Sequence, residues 1–231
     1  ISNSVGTLSS ATTGQYASVP EDSWFAGDFT VDFWINYKTN FNKWERVFDF
    51  GQGQGKNNVL FTCNNGANLP CFAIYNETDP YNYLINTPLP LNTWTQVTIT
   101  LAEKTLQMYY NGELVQTYTD VIVPEKVVRN LNYIGRSNWD GDYYTNASID
   151  EFRIYKRALS QKEIIETSHT PLLGKEDGLI LYYNFNQVTG STIPNLALET
   201  VKSDATVYNF GEFTYSKALR TPFIRKATNV N

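Results

Sequence analysis

The chain has 231 residues, 42% of them hydrophobic and 18% charged, with a formal net charge of −5. That length can bury a core without staples, and the balance argues against long disorder. The acidic excess disfavours a nucleic-acid partner, which draws on Lys and Arg, and no apolar run approaches the ~20 residues of a membrane span.

Starting at Ile1, the chain reads as a mature or excised fragment of a longer, multidomain protein. Alternation then dominates. Phe29–Tyr37 places Val31, Phe33 and Ile35 on one parity and mostly polar residues on the other. That is the period of a half-buried strand. Trp34 breaks the pattern by sharing the parity of Asp32 and Asn36. A loop over 40–44 offers Trp44, and Arg46–Phe50 and Val59–Phe61 follow as short strands. Between them the Gly51–Gly55 run lacks the Lys-Ser/Thr of a phosphate cradle and reads as a loop. Cys63 and Cys71 bracket the turn-rich Asn64–Pro70. They are either two buried thiols or, as we expect, a disulfide tying the base of a hairpin. Such a bridge contributes about 2.5 kcal/mol on the loop-entropy account and implies an oxidising compartment. Asn76 and Asn146 open glycosylation sequons, and Asp79–Tyr83 reads as a loop.

Thr95–Leu101 alternates cleanly, and Ala102–Lys104 turns the chain into Thr105–Tyr110. Asn111-Gly112 is a strong hairpin signal that returns it through Glu113–Tyr118. Leu131–Gly135 and Ala147–Tyr155 are further strands; strict alternation puts the neighbours Asp150 and Glu151 on opposite faces. Ser160 and Glu163 make a capping box that opens one short helix near 161–168, with His169 in a polar loop behind it. Gly178–Phe185 begins another strand. Many short strands with regular turns predict an all-β antiparallel sandwich. Its core takes Val31, Phe33, Ile35, Phe48, Val97, Ile99, Leu106, Met108, Ile149, Phe152, Ile154 and Leu181.

Scarce residues narrow the chemistry. A Ser-His-Asp triad could use only His169, and one His with two Cys falls short of the four ligands of a structural Cys/His zinc site. No P-loop, dinucleotide fingerprint or HExxH occurs.

Several segments together resemble a known family. Gly27–Ile35, Leu91–Thr98, Met108–Val115, Asn132–Arg136 and the run Ile149–Ser160 with Glu163-Ile164 are similar to the ordered motifs of laminin-G-like domains. The resemblance spans roughly Gly14 to Ile165. It implies a concanavalin A-like jelly-roll sandwich of two antiparallel sheets. The C-terminal pieces Gly178–Asn186, Gly190–Thr192 and Lys217–Leu219 resemble the strand that ordinarily comes first, ahead of the counterpart of Val5–Leu8. Either 178–231 folds back to complete one sandwich over 1–231, which we expect, or it begins a second module. Related glucan hydrolases carry carboxylates alternating on one strand, ~5–5.5 Å apart, and this chain has no Glu-x-Asp-x-Glu. A non-enzyme is expected.

The expected function is an extracellular, secreted or cell-surface module that binds glycans through aromatic and Asn/Asp-rich rim loops. Sugars need aromatic faces for their C–H surfaces and planar polar groups for their hydroxyls. Asn138, Trp139, Asp140, Asp142, Tyr143 and Tyr144 supply both between two strands, and Trp44 adds a second indole. The alternative is a protein-binding adhesive module using the same loops. The resemblance also implies a structural calcium, with Asp150 as first ligand and Asn186 near it if the last strand returns. Asp140 and Asp142 are a second, rim position for calcium.

Overall fold

The structure, a computed structural model, describes residues 8–9, 14–38, 42–198 and 203–209. The Val5–Thr7 and Lys217–Leu219 pieces of the resemblance lie outside them. The strands are β1 (Leu8–Ser9), β2 (Tyr16–Val19), β3 (Phe29–Tyr37), β4 (Arg46–Gly51), β5 (Val59–Thr62), β6 (Cys71–Asn76), β7 (Asp79–Leu84) and β8 (Trp94–Ala102). Then come β9 (Thr105–Tyr110), β10 (Glu113–Tyr118), β11 (Leu131–Ile134), β12 (Ala147–Tyr155), helix α1 (Gln161–His169), β13 (Leu179–Tyr183), β14 (Thr192–Ile193) and β15 (Ala205–Tyr208).

They make two antiparallel sheets. The first runs β1-β12-β3-β8-β9-β10, with β13 also on β12. β1 meets β12 at Ser148 and Ile149, and β13 meets it from Phe152 to Tyr155, so both lie along one strand at different heights. The second runs β14-β15-β2-β11-β4-β5-β6-β7. β13 therefore enters the first sheet, and β14 and β15 the second.

The inward parities of both sheets meet in one core. Phe33 of the first sheet lies 5.5 Å, ring to ring, from Phe61 of the second, and Phe152 lies 5.6 Å from Phe48. All twelve core residues read from the sequence belong to it, as do Tyr183 and Phe185 of the C-terminal segment. Each fully buried aliphatic or Phe side chain contributes about 1.5–3 kcal/mol by leaving water. Asn111 (φ 51°) and Gly112 (φ 79°) both take the left-handed conformation that a two-residue hairpin between β9 and β10 demands. The Ser160–Glu163 capping box is present at the start of α1.

Four expectations are corrected. Cys63 and Cys71 are free buried thiols. Thr62 pairs with Cys71, so Cys63, one residue on, points to the other face. Cys63 sits in the inner core, while Cys71 Sγ meets Asn82 Oδ1 on the outward side at 3.8 Å. Side chains on opposite faces of a sheet cannot bridge. Burial pushes the Cys71 thiol up to about 11, which makes it inert. Residues 79–83 are not a loop but most of β7, paired to β6 along its length. β7 is the sheet's edge, where Pro80 and exposed residues are tolerated. His169 is the exposed last residue of α1 rather than a loop residue. Finally, β12 bulges between Asp150 and Arg153, which interrupts alternation at Glu151 (φ 53°) and brings its carboxylate to Arg153.

Candidate functional site

The site grows from β4. Val47, Phe48 and Phe50 belong to the core. A register shift between Arg46 and Phe48 leaves both Arg46 and Asp49 on the outward side of the second sheet. Asp49 is fully buried nonetheless, because a loop is tied over it. One carboxylate oxygen accepts Asn58 Nδ2 (2.7 Å) and the other accepts the Asn138 backbone N–H (2.8 Å). Asn138 Nδ2 then donates to the carbonyls of Asp49 (3.2 Å) and Leu131 (3.0 Å). Burial pushes the Asp49 carboxyl up, against the pull of the Asn138 and Asn58 hydrogen bonds and of Arg46. The loop after β11 is thus pinned to the sheet at its base.

Above the pin, the Arg46 guanidinium lies 5.2 Å from the Trp44 ring and 5.2 Å from the Trp139 ring. Arg46 Nη1 donates to the Trp44 carbonyl at 2.9 Å, in a segment where Trp44 holds φ 64°. Trp139 also tilts against Tyr75 at 5.4 Å. Asp142 accepts the Ser137 hydroxyl at 2.8 Å and stands 3.6 Å from Arg46. Such cation–π contacts contribute about 0.5–2 kcal/mol each and hold both indoles in fixed orientation.

A second cluster adjoins it. Arg136 lies over the rings of Tyr16 (4.8 Å) and Tyr133 (4.7 Å) and donates to the Tyr16 hydroxyl at 3.0 Å. Tyr144 and Tyr208 both stack on Tyr16, at 6.0 and 4.9 Å. Between the clusters opens a cavity of about 220 Å³, lined by Arg136, Ser137, Trp139 and the run Asp140–Tyr144. Tyr143 is 58% exposed at its mouth.

Of the residues named from sequence, Trp139, Asp140, Asp142, Tyr143 and Tyr144 line this cavity. Asn138 does not; it is the pin. Trp44 joins the group only through Arg46. Sequence reasoning missed Arg46, Arg136, Tyr16 and Tyr75. A polar residue just inside a strand two positions from Trp44 was the available signal for Arg46. Nothing local links Tyr16 or Tyr75 to the loop, since only sheet pairing brings them there.

Of the four residues named for calcium, Asp140 and Asp142 line the cavity, and Asp150 and Asn186 lie elsewhere. Asp150 is buried on β12 and accepts the Glu151 N–H at 2.8 Å, while Asn186, exposed after β13, donates its backbone N–H to Asn184. Among the described residues no group of three or more His, Cys, Asp or Glu gathers as a metal centre. Of the sequon residues, Asn76 donates its side-chain amide to the Val123 carbonyl at 3.3 Å, and the Asn146 backbone N–H bonds to Glu45. No helix among the described residues is long and apolar enough to cross a membrane.

A family model described as the concanavalin A-like lectin/glucanases superfamily matches residues 11–165. No curated protein matches the chain in sequence. Among solved structures, a Bacteroides ovatus protein inferred to bind carbohydrate aligns at TM-score 0.68 and 19% identity, over 88% of this chain and 57% of its own. The chain thus spans just over half of that protein. A sialidase carbohydrate-binding domain from Ruminococcus gnavus, bound to α2,3-sialyllactose, aligns at TM-score 0.56 and 14% identity, over 70% of this chain and 95% of its own. Domain 4 of an extracellular arabinanase from Geobacillus stearothermophilus, in complex with arabinotriose, aligns at TM-score 0.55 and 16% identity, over 64% and 70%. At these identities the likeness concerns the fold.

Proposed function

This chain belongs to the concanavalin A-like lectin/glucanases superfamily, and we propose that within it the chain is a non-catalytic carbohydrate-binding module of a secreted or surface protein. One observation carries the proposal. The loop pinned by Asn138 walls a cavity of about 220 Å³ with an indole, two phenols and two carboxylates. That combination offers stacking faces and hydroxyl acceptors in a space the size of about one sugar ring. Support for a passive grip comes from the carboxylates. The three that burial pushes above the usual carboxylate range, Asp32, Glu45 and Asp49, are sealed under the surface. In the cavity Asp142 is already engaged by Ser137 and Arg46.

A glycan array with wild type, Trp139→Ala and Tyr143→Ala tests this. The expected result is a defined set of glycan hits, weakened about tenfold in Trp139→Ala, which is roughly 1.4 kcal/mol. Tyr143, exposed and outside the core, gives a smaller loss with an unchanged melting temperature. A clean array, hits indifferent to both variants, or release of reducing sugar from a bound polysaccharide overturns the proposal. The grip we propose uses no ion. A structural calcium at Asp150 and Asn186 is a separate part of it, supported by the buried Asp150 carboxylate on β12. It predicts a melting temperature that rises with CaCl₂, falls with chelator, and ceases to respond in Asp150→Asn.

A further inference from the structure

The five arginines of the described residues divide by what they touch. Arg46, Arg153 and Arg157 each stand within 4 Å of a carboxylate. Arg129 is buried and donates Nε and Nη2 to the carbonyls of Asn57 and Glu125, while its Nη1 is sealed away from any ligand. Arg136 alone among them meets neither a carboxylate nor a carbonyl. Its guanidinium lies over two tyrosine rings and gives one N–H to the Tyr16 hydroxyl. It also lines the cavity. A guanidinium carries five N–H donors in a planar fork. Rings fix the plane of that fork and compensate part of its charge, yet they accept no in-plane hydrogen bond. The fork is therefore oriented in advance, half-buried, and still short of an anionic partner.

Resting on the carbohydrate reading above, we infer that this cavity selects a carboxylated sugar, a uronic or sialic acid, whose carboxylate pairs with Arg136 while its hydroxyls meet the rim carboxylates. The two aspartates on the same wall do not defeat this. Asp142 stands against Arg46 and the Ser137 hydroxyl, so its charge is partly answered within the protein. Asp140 is exposed, where water screens it. Both accept hydroxyl hydrogens, which an acidic sugar supplies as readily as a neutral one. Planar two-point recognition of a carboxylate is what arginine does and lysine does not.

The test compares matched ligands. Uronic-acid oligosaccharides, sialylated oligosaccharides and the carboxyl-reduced form of each are titrated against the full chain by calorimetry, at low and high NaCl. We expect one of the two acidic series to bind about tenfold tighter than its reduced form, with the advantage shrinking in salt. Arg136→Gln should erase the advantage, so that the acidic and the reduced form bind alike. Arg136→Lys, which keeps charge and loses the fork, should keep only part of it. Near-UV circular dichroism shows whether the tyrosine cluster survives each change. If Arg136→Gln disturbs it, the Lys variant and the wild-type comparison of acid with reduced form decide. Equal binding of acidic and reduced forms by wild type overturns the inference and leaves the carbohydrate proposal standing. So does an acid preference that survives both variants. Binding of no sugar at all overturns both.

Discussion

The outward faces of the two sheets carry the same ingredients to opposite ends. On the first sheet Arg153 of β12 meets Asp32 of β3 at 3.1 Å and Glu151 at the bulge, with the Tyr182 ring 5.4 Å away. All of it is buried under α1, whose Thr167 carbonyl accepts Arg153 at 3.2 Å. A satellite core of Tyr109, Tyr155, Leu159, Ile164, Leu179 and Tyr182 closes the lid. On the second sheet Arg46 meets one carboxylate at 3.6 Å and two indoles, and only a loop lies above it. An arginine sealed among carboxylates is a lock, since each charge needs the others to offset its desolvation. An arginine held by rings under a loop is a scaffold, which leaves neighbouring polar groups to a ligand. What covers the face decides between them.

Removing the lock's cation is the largest expected effect. Arg153→Met leaves Asp32 and Glu151 buried without it, and we expect a loss of about 3–5 kcal/mol, read from urea midpoints. The matched change on the other face, Arg46→Met, should cost about 1–2 kcal/mol. There the orphaned Asp142 is 21% exposed and can reach water. Equal losses would erase the distinction between lock and scaffold.

A pair of glycines sharpens it next. Gly112, at the β9–β10 turn, holds φ +79°, and a Cβ there would stand 2.7 Å from Ile165 Cγ1 of α1. The Gly112 carbonyl also accepts Gln161 Nε2 at 2.9 Å, so the turn is a seat for the helix. Gly141, in the loop over the second sheet, holds φ +89° with nothing within 4 Å. Gly141→Ala should cost about 1 kcal/mol of backbone strain alone, and Gly112→Ala about 2–3 kcal/mol, strain plus displacement of the helix. If the two cost the same, the covering helix is not packed as tightly as the loop is free.

The frame of the first sheet was more legible in the sequence than either the lock or the scaffold built on it. The apolar parity of β3 and β8, the Asn111-Gly112 turn and the Ser160–Glu163 box are local signals, and each marks its element where expected, although both faces of β3 and β8 are buried. The aromatic loop 138–144 was also visible, because its composition is unusual over a few residues. Its partners were not. Arg46, Tyr16 and Tyr75 reach it from β4, β2 and β6, and only register decides which of their neighbours face outward. The same blindness explains Cys63 and Cys71. Nearness in sequence suggested a bridge, and the parity of one intervening pairing forbids it. Edge strand β7 escaped because an edge needs no alternation, and bulges at Glu151 and Arg46 broke parity where the chemistry sits.

The smallest effect separates the faces by pH. Asp32 has Arg153 beside it, whereas Glu45, buried beside the loop that leads into β12, has only the Asn146 N–H and Asn42 for support. Burial raises the Glu45 carboxyl above its ordinary 4.5. Between 4.5 and its raised value such a carboxyl keeps in the folded chain a proton that the unfolded chain has lost. Its contribution to stability is therefore full below 4.5 and is lost as pH rises through the folded value. Glu45→Gln keeps an acceptor for Asn146 and cannot ionise. The variant should match wild type in acid and exceed it by about 1 kcal/mol at neutral pH. Glu163 supplies the opposite sign within the same chain. Its hydrogen bonds from Arg157 and the Ser160 N–H hold its carboxyl down to about 2. Its contribution is present above 4.5 and drains as pH falls toward that value, by a few tenths of a kcal/mol because the side chain is 36% exposed. Subtracting the Glu45→Gln and Glu163→Gln curves from wild type should give slopes of opposite sign. Parallel curves would mean that neither carboxyl senses its cover, and the contrast between a sealed face and an open one would lose its electrostatic half.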